Sequence, residues 1–261
     1  MKCVIFAGGK GSRISAYGDD TPKPLITIGG KPIIWHIIKI YEHFGIKDFI
    51  ICLGYKQEKF KEYFTNLLLE ENDLNISFKN NKVNILSDRF IDLNISLIDT
   101  GRETLTGGRL KKIEKYIGDD EEFLLTYGDA VSDVNINDLI KFHHQHNKLV
   151  TITSVLKKEN FGVLKIDNDS NVMQFSEKGV ADAKRINAGF MVVNRRIFNY
   201  LSENSGAFEK EILEPLSSIN EVVAYLYNGF WQCMDYRHER EYLEDLVNSN
   251  QASWIYGGKN I

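Results

Sequence analysis

Residues 1–30, MKCVIFAGGKGSRISAYGDDTPKPLITIGG, contain the stretch that decides the fold. The apolar run CVIFA (3–7) passes directly into a glycine-rich basic loop, which is typical of a buried strand that ends at a ligand site. PIIWHIIKIYEHFG (32–45) has a leading proline, helical spacing of its apolar residues and a terminal glycine, so it predicts a helix. A second strand, DFIICLGY (48–55), and a second helix, EKFKEYFTNLLL (58–69), follow. This β-α-β-α order predicts a parallel sheet covered by helices on both faces.

The glycine loop GGKGSR (8–13) is tested against two common nucleotide motifs. A dinucleotide fingerprint needs a third glycine where Ile14 stands, and a P-loop needs Gly-Lys-Ser/Thr after four spacer residues, which is absent. Ten residues after Arg13, however, Lys23 stands between two prolines. Backbone N–H groups of such a loop can approach phosphate oxygens, and Arg13 and Lys23 would add positive charge. We therefore expect a phosphate-binding loop and not a plain turn.

Two aspartates follow apolar segments, Asp129 after FLLTYG and Asp235 after GFWQCM. Magnesium usually takes one or two carboxylates together with phosphate oxygens, so this remote pair predicts an Mg²⁺ site. A helix N-cap is the competing interpretation of Asp129 alone. The glycine loop, Gly54 and Gly128 all fall at predicted strand ends, so we expect them to converge on one cleft.

Farther along the chain the pattern alone leaves some functions open. Glu177, Lys178 and Asn187 lie at adjacent predicted strand ends, where they could bind a polar, phosphorylated acceptor or form a surface salt bridge. Three histidines in INDLIKFHHQHNK (136–148) have no acidic or cysteine neighbour in sequence, and we interpret them as an exposed helix end and not a metal site. We interpret EKEILE (209–214) as a solvated face of a helix.

Composition excludes several classes of protein. The 261 residues are 43% hydrophobic, and 32 basic against 36 acidic residues give a net charge of −4. No basic stripe or polybasic tail is present, so we expect neither nucleic acid nor a membrane as partner. Three well-separated cysteines match no metal spacing or disulfide framework. No run approaches the ~20 apolar residues of a membrane helix, and we expect a cytoplasmic protein.

The expected fold class is α/β, a Rossmann-like doubly wound mixed sheet with a smaller β-rich lobe that binds the acceptor. No linker or repeat divides the chain, so residues 1–261 are expected to form a single domain. Residues 1–130 would bind mainly the nucleotide, with a hairpin insertion near 72–98, and 131–261 mainly the acceptor.

Together these residues resemble the sugar-1-phosphate nucleotidyltransferases, and within them the glucose-1-phosphate cytidylyltransferases. AGGKGSR (7–13) resembles the family's GGxGTR loop, and PKP carries its signature lysine at Lys23. DTG followed by LTGGRL (99–110) resembles the base-recognition turn, and TYGDA (126–130) the magnesium aspartate segment. The resemblance extends to the acceptor-binding segments FGVL (161–164), EK (177–178) and NAGF (187–190), and to FWQCMD (230–235), which carries the second metal aspartate. The resemblance implies a GT-A-like fold.

The resemblance also implies roles for individual residues. As catalytic residues it gives Arg13, Lys23 and Asp129, and as Mg²⁺ ligands Asp129 and Asp235. It assigns CTP to Ala7, Gly8, Gly9, Gly11, Ser12, Arg13, Lys23, Thr106, Gly107, Gly108 and Arg109. Backbone groups of the turn 106–108 would read the cytosine edge, with Arg109 nearby. It assigns the phosphorylated acceptor to Gly162, Glu177, Lys178, Asn187 and Trp231.

The implied activity is transfer of CMP from CTP to glucose 1-phosphate, for surface polysaccharide synthesis, by an enzyme that commonly forms homo-oligomers. The sequence departs from the family mainly on the acceptor side, where Gly179 replaces a proline and Tyr236 a threonine. A second hypothesis therefore keeps CTP but changes the acceptor, for example to L-glutamine phosphate in capsule modification. A third hypothesis is a catalytically silent regulator that binds a nucleotide sugar. Such a protein should have lost the lysine or a metal aspartate, but Lys23, Asp129 and Asp235 are all present.

Overall fold

A computed structural model describes residues 1–9, 21–86, 92–157, 163–166, 172–176 and 184–256. The strands are β1 Cys3–Phe6, β2 Thr27–Ile28, β3 Lys31–Pro32, β4 Asp48–Leu53, β5 Leu74–Ser77, β6 Lys82–Ile85, β7 Asn94–Asp99, β8 Glu122–Tyr127, β9 Ala130–Ser132, β10 Val150–Lys157, β11 Val163–Ile166, β12 Val172–Ser176, β13 Lys184–Asn194, β14 Val222–Leu226 and β15 Trp231–Cys233. The α-helices are α1 Ile33–His43, α2 Gln57–Glu70, α3 Thr106–Lys112, α4 Glu114–Ile117, α5 Ile136–His144, α6 Glu214–Ser218 and α7 Arg237–Asn248. Short 3₁₀ segments cover Lys23–Leu25 and Arg195–Tyr200, and a π-helical turn covers Glu209–Leu213.

Seven strands form one central sheet in the order β14-β10-β13-β8-β1-β4-β7. Strands β1, β4, β7 and β8 run parallel, β13 is antiparallel to both β8 and β10, and β14 is parallel to β10. The sheet is therefore mixed, with helices on both faces, which confirms the predicted fold class.

Two apolar layers lie on opposite faces of this sheet, because neighbouring side chains of a strand point in opposite directions. In β1, Cys3 and Ile5 pack into the layer that contains α1, whereas Val4 and Phe6 pack into the layer that contains α3 and α4. All four side chains are buried, which explains why this strand is continuously apolar.

The predicted insertion near 72–98 is only partly a hairpin. Strands β5 and β6 do pair antiparallel around a turn in which Asn81 has a positive φ. Residues 94–99, however, form β7, which pairs parallel with β4 at the edge of the central sheet. At the opposite edge lies β14, which pairs parallel with β10.

Parallel strands β1, β4 and β8 are neighbours, so their carboxyl ends share one edge of the sheet. The segments after them contact one another there: Tyr55 N–H donates to the Gly8 carbonyl (3.2 Å), and Gly128 N–H to the Phe6 carbonyl (3.0 Å). The predicted convergence at strand ends is confirmed for these residues. Within the described ranges, no helix is long and apolar enough to cross a membrane.

Candidate active site

A pocket of ≈ 270 Å³ opens at the carboxyl ends of β1 and β8. Its lining combines the start of the glycine loop, the Lys23 turn, the entry to α3 and the end of β8. The lining residues are Phe6, Ala7, Gly8, Gly9, Lys23, Pro24, Thr104, Leu105, Thr106, Arg109, Tyr127, Gly128 and Asp129. Eight of the residues that the sequence singled out therefore meet here: Ala7, Gly8, Gly9, Lys23, Thr106, Arg109, Gly128 and Asp129.

Lys23 is a buried cation held between two carboxylates. Its Nζ donates to Asp129 Oδ2 at 2.7 Å and to Asp235 Oδ1 at 2.6 Å. The backbone is fixed by a 3₁₀ turn in which Leu25 N–H donates to the Pro22 carbonyl (2.8 Å). Burial alone would lower the pKa of Lys23, but the charges and hydrogen bonds of Asp129 and Asp235 outweigh it and raise that pKa. The ammonium therefore stays charged at neutral pH.

Strand pairing explains how two aspartates 106 residues apart in sequence come together. Strands β9 and β15 pair antiparallel, with Ala130 opposite Cys233, and Met234 N–H donates to the Asp129 carbonyl at 2.8 Å. On the other side, Glu239 in the first turn of α7 accepts the Asp235 N–H at 2.6 Å. The start of α7 thus fixes the segment that carries Asp235.

This carboxylate pair fits Mg²⁺ in its donor chemistry. Asp129, which lines the pocket, and Asp235 would offer hard oxygen ligands next to the Lys23 ammonium. In the part of the chain that the structure describes, no group of three or more histidine, cysteine or acidic side chains could hold a metal. Two carboxylates plus ligand phosphates and water are nevertheless the set that Mg²⁺ commonly uses.

Arg109 is buried, and its guanidinium binds the backbone behind the pocket. Nη1 donates to the Leu53 carbonyl and the Thr100 hydroxyl, both at 2.7 Å, and Nη2 donates to the Gly8 carbonyl at 3.0 Å. Burial lowers the pKa of this arginine, and nearby negative groups act in the opposite direction. A Cβ on Gly8 would lie 2.2 Å from Nη1, so a side chain at this position would displace the guanidinium. Arg109 therefore holds the ends of β1 and β4 together.

Two backbone N–H groups at the start of α3 bind the segment 205–206. Gly107 N–H donates to the Gly206 carbonyl at 2.9 Å, and Gly108 N–H to the Ser205 carbonyl at 3.0 Å. These two N–H groups are already used within the protein, and base recognition by the other backbone groups of 106–108 stays a prediction. Of this turn it is Thr106, half-buried, that lines the pocket.

Tyr127 and Glu209 are site residues that the sequence analysis missed. The Tyr127 hydroxyl donates to Glu209 Oε1, and the Thr106 hydroxyl donates to Glu209 Oε2 at 3.3 Å. Burial first, and then the Glu209 charge, raise the pKa of Tyr127, so its hydroxyl stays protonated. Glu209 lies in the π-helical turn Glu209–Leu213, beside Thr106 of the predicted binding segment. Such turns are frequent at functional sites, but the residue pattern does not reveal them.

Asn187 and Trp231 lie beside the pocket and not in its lining. The Asn187 amide lies near the Tyr127 hydroxyl and acts to lower its pKa, and Asn187 Oδ1 accepts the Gly189 N–H at 2.8 Å. Trp231 Nε1 donates to the Ala188 carbonyl at 2.8 Å, which ties β15 to β13. Several further predicted residues lie outside the described residues: Gly11, Ser12, Arg13, Gly162, Glu177 and Lys178.

Two interpretations of polar segments were wrong. His143 is 3% exposed and lies 3.7 Å from Glu122, and Glu122 also contacts His144 at 2.6 Å. The histidines therefore are not all exposed and do have an acidic neighbour, because the end of α5 lies beside Glu122 at the start of β8. Likewise 209–214 is not a solvated face, since Ile212 and Leu213 are buried.

Comparison with known proteins agrees with this geometry. Residues 2–234 match the family model described as nucleotidyl transferase. The chain is 42% identical over 254 residues to a glucose-1-phosphate cytidylyltransferase of Salmonella typhimurium, covering 97% of this chain and 98% of that protein. It is 40% identical to a probable glucose-1-phosphate cytidylyltransferase of Bacillus subtilis, covering 97% and 99%.

Among solved structures, similar folds include HddC from Yersinia pseudotuberculosis, with a TM-score of 0.66 at 21% identity over 94% of this chain and 99% of that one. The inositol-1-phosphate CTP transferase from T. maritima has a TM-score of 0.66 at 12% identity over 99% and 98%. These two likenesses concern the fold. From the family match and the identity to cytidylyltransferases over nearly the whole chain, the protein belongs to the nucleotidyl transferase family and is a nucleotidyltransferase enzyme.

Proposed function

We propose that this enzyme transfers CMP from CTP to glucose 1-phosphate, giving CDP-glucose and pyrophosphate. The observation that carries the proposal is the Lys23 ammonium held between Asp129 and Asp235, where Lys23 and Asp129 line the pocket. This arrangement places fixed positive charge beside paired oxygen ligands, as the transfer of a nucleotidyl group between two phosphates requires. Identity of 42% over 97% of the chain to a glucose-1-phosphate cytidylyltransferase supports the choice of substrates.

The reaction needs no nucleophilic side chain. A phosphate oxygen of glucose 1-phosphate is already anionic at neutral pH and attacks the α-phosphorus of CTP. A new P–O bond forms while the bond from the α-phosphorus to the oxygen of the departing pyrophosphate breaks. The protein has to align two anions and offset their repulsion, which is catalysis by positioning and electrostatics. Lys23, charged and fixed on both sides, is suited to this role.

CTP would lie along the edge formed by Ala7, Gly8 and Gly9, with its α-phosphate toward Lys23. Arg109, which also lines the pocket, supports this edge by binding the Gly8 carbonyl. The Thr106 hydroxyl, which lines the pocket, is the better candidate for contact with the cytosine. Contacts of Gly11, Ser12 and Arg13 with the triphosphate stay predictions.

Glucose 1-phosphate would lie on the side of Asn187 and Trp231, beside Tyr127. Contacts with Gly162, Glu177 and Lys178, including neutralisation of the acceptor phosphate by Lys178, stay predictions. The same holds for use of the product in surface polysaccharide synthesis, for a cytoplasmic location and for assembly into a homo-oligomer.

Asp129 and Asp235 would hold Mg²⁺. When bound there, the ion would supply additional positive charge to the triphosphate. The role of the chain is to bring the two carboxylates together through the β9–β15 pairing and to keep Lys23 between them.

A pyrophosphate-release assay that crosses CTP, UTP, dTTP, GTP and ATP with glucose 1-phosphate and other phosphorylated acceptors tests the proposal. We expect pyrophosphate with CTP and glucose 1-phosphate, and at least ~10-fold lower kcat/KM for the other nucleotides. Turnover with CTP but only with a different acceptor, such as L-glutamine phosphate, would refute glucose 1-phosphate as substrate. No turnover with any pair, in a folded protein that binds CTP, would favour a silent regulator.

A further inference from the structure

A chain of hydrogen bonds with a fixed direction ends at Glu209. On one side, the Tyr127 hydroxyl donates to Glu209 Oε1. From the other side, Phe208 N–H donates to Thr106 Oγ1 at 2.8 Å, and the Thr106 hydroxyl donates to Glu209 Oε2 at 3.3 Å.

This direction determines what the two hydroxyls can offer to a ligand. A carboxylate accepts hydrogen bonds and donates none, so both hydroxyl hydrogens point toward Glu209 and away from the pocket. A hydroxyl oxygen has two lone pairs. Thr106 Oγ1 uses one of them for Phe208 N–H and can present the other to the pocket that Thr106 lines. At this point the pocket wall can accept a hydrogen bond but cannot donate one.

We propose that Glu209 is a positioning residue that sets base specificity, by making Thr106 Oγ1 an obligate acceptor toward the nucleotide base. The inference rests on the proposed function, in which the base lies against Thr106. Cytosine presents an exocyclic amino group, a donor, where uracil and thymine present a carbonyl, an acceptor. An accepting oxygen therefore favours CTP, and it faces a carbonyl of UTP or dTTP with no hydrogen between them.

The matched variant is Glu209→Gln. Its amide has one accepting oxygen and one donating NH₂ group, so one of the two hydroxyls loses its acceptor. The Thr106–Glu209 bond is long at 3.3 Å, so the glutamine oxygen goes to Tyr127 and the NH₂ group meets Thr106. The Thr106 hydroxyl then accepts from the glutamine, and its hydrogen becomes free to turn toward the pocket.

The experiment measures kcat/KM for CTP and for UTP, each with glucose 1-phosphate, in the wild type, Glu209→Gln and Glu211→Gln. Glu211 lies in the same π-helical turn, but its carboxylate accepts the Gly206 N–H, so it is the control. We expect the ratio of kcat/KM for CTP to kcat/KM for UTP to fall roughly tenfold or more in Glu209→Gln, while the KM for glucose 1-phosphate stays unchanged. In Glu211→Gln the ratio of the two kcat/KM values should stay at the wild-type value.

A merely structural role of Glu209 would lower both activities by the same factor, and an unchanged ratio in Glu209→Gln overturns the inference. So does a wild type that uses CTP and UTP equally well. A wild type without activity on CTP refutes the proposed function itself, which keeps the two failures apart. If Glu209→Gln does not fold, Thr106→Val decides: it removes the accepting oxygen, and an unchanged CTP-to-UTP ratio in this variant also overturns the inference.

Discussion

Lys23 carries the positive charge of the candidate site between two carboxylates. Lys23→Ala removes this charge and leaves Asp129 and Asp235 to repel each other and the incoming phosphates. We expect kcat to fall at least ~100-fold, the loss typical of one preorganised electrostatic group. Steady-state pyrophosphate release measures it, with Lys39→Ala, which removes a partly exposed lysine paired with Glu42 on α1, as the control. Near-normal kcat in Lys23→Ala would show that the assignment is wrong.

Asp129 is the residue at which the metal proposal is tested. Asp129→Asn keeps the size of the side chain but removes its charge. We expect activity to be lost at ordinary Mg²⁺ concentrations, and the Mg²⁺ dependence of pyrophosphate release measures this. The control is Asp138→Asn, an exposed side chain in the first turn of α5. Unchanged activity of Asp129→Asn at the same Mg²⁺ concentration would refute the metal role.

Arg109 contributes to stability as well as to the site. Arg109→Lys keeps the charge but cannot reproduce the fork that reaches Leu53, Thr100 and Gly8 together. Unsatisfied buried acceptors cost about 1–3 kcal/mol each, so we expect the free energy of unfolding to fall by about 2 kcal/mol and the KM for CTP to rise. Urea unfolding and initial rates measure the two effects, with exposed Arg196→Lys for comparison. Equal stability of Arg109→Lys and the wild type would contradict the role.

At the residue scale, sequence reasoning found Lys23, Asp129 and Asp235 because prolines and strand ends mark them. It could not find Glu209, whose only local signal is a polar residue in a helix-like segment. The role of Arg109 was also out of reach, because its partners are backbone carbonyls of segments distant in sequence. Contacts of this kind depend on the tertiary arrangement and leave no residue pattern.

Among the elements, α5 contains the clearest pH-sensitive group. Burial lowers the pKa of His143 to about 4; the neighbouring Glu122 opposes this shift, and His146 and His144 add to it. His143 Nδ1 also hydrogen-bonds Thr151 Oγ1 of β10 at 2.8 Å. An unfolded chain binds this proton near pH 6.5, but the folded chain does not bind it until about pH 4. Stability is therefore fully present above pH 6.5 and is lost as the pH falls toward 4.

We expect the free energy of unfolding to decrease by about 2 kcal/mol across this window because of His143. Urea titrations at pH 7, 6, 5 and 4.5 measure it. His143→Gln should show a shallower decrease, whereas His238→Gln, at an exposed position in α7, should follow the wild type. Parallel curves for the wild type and His143→Gln would contradict the prediction.

Elements with strong periodicity were predictable, and elements defined by pairing were not. Helix α1 and strand β4 are found close to where the apolar spacing puts them. Strands β7 and β14 were missed as members of the central sheet because both lie at its edges, where none of their side chains is fully buried and only the pairing with β4 and β10 places them. His143 was misjudged because helical spacing does not reveal which polar residue faces a neighbouring strand.

For the whole molecule, the sheet order explains why one edge holds the site. Strands β1, β4 and β8 bring the glycine loop, the Arg109 contacts and Asp129 to the same end, and the β9–β15 pair adds Asp235. The alternation of strands and helices predicted this edge in advance. It did not predict that the second half of the chain completes the same sheet through β10, β13 and β14.

The central claim is that this edge joins CMP to glucose 1-phosphate. Phosphorus NMR of wild-type enzyme with CTP, glucose 1-phosphate and Mg²⁺ tests it most directly, because it follows every phosphorus atom. We predict that the CTP and sugar-phosphate signals are replaced by the paired signals of a CDP-linked sugar and by an equimolar amount of pyrophosphate, and that Lys23→Ala forms neither in the same time. CMP and pyrophosphate without a sugar-linked diphosphate, or unchanged substrates with folded wild-type enzyme, would contradict the account.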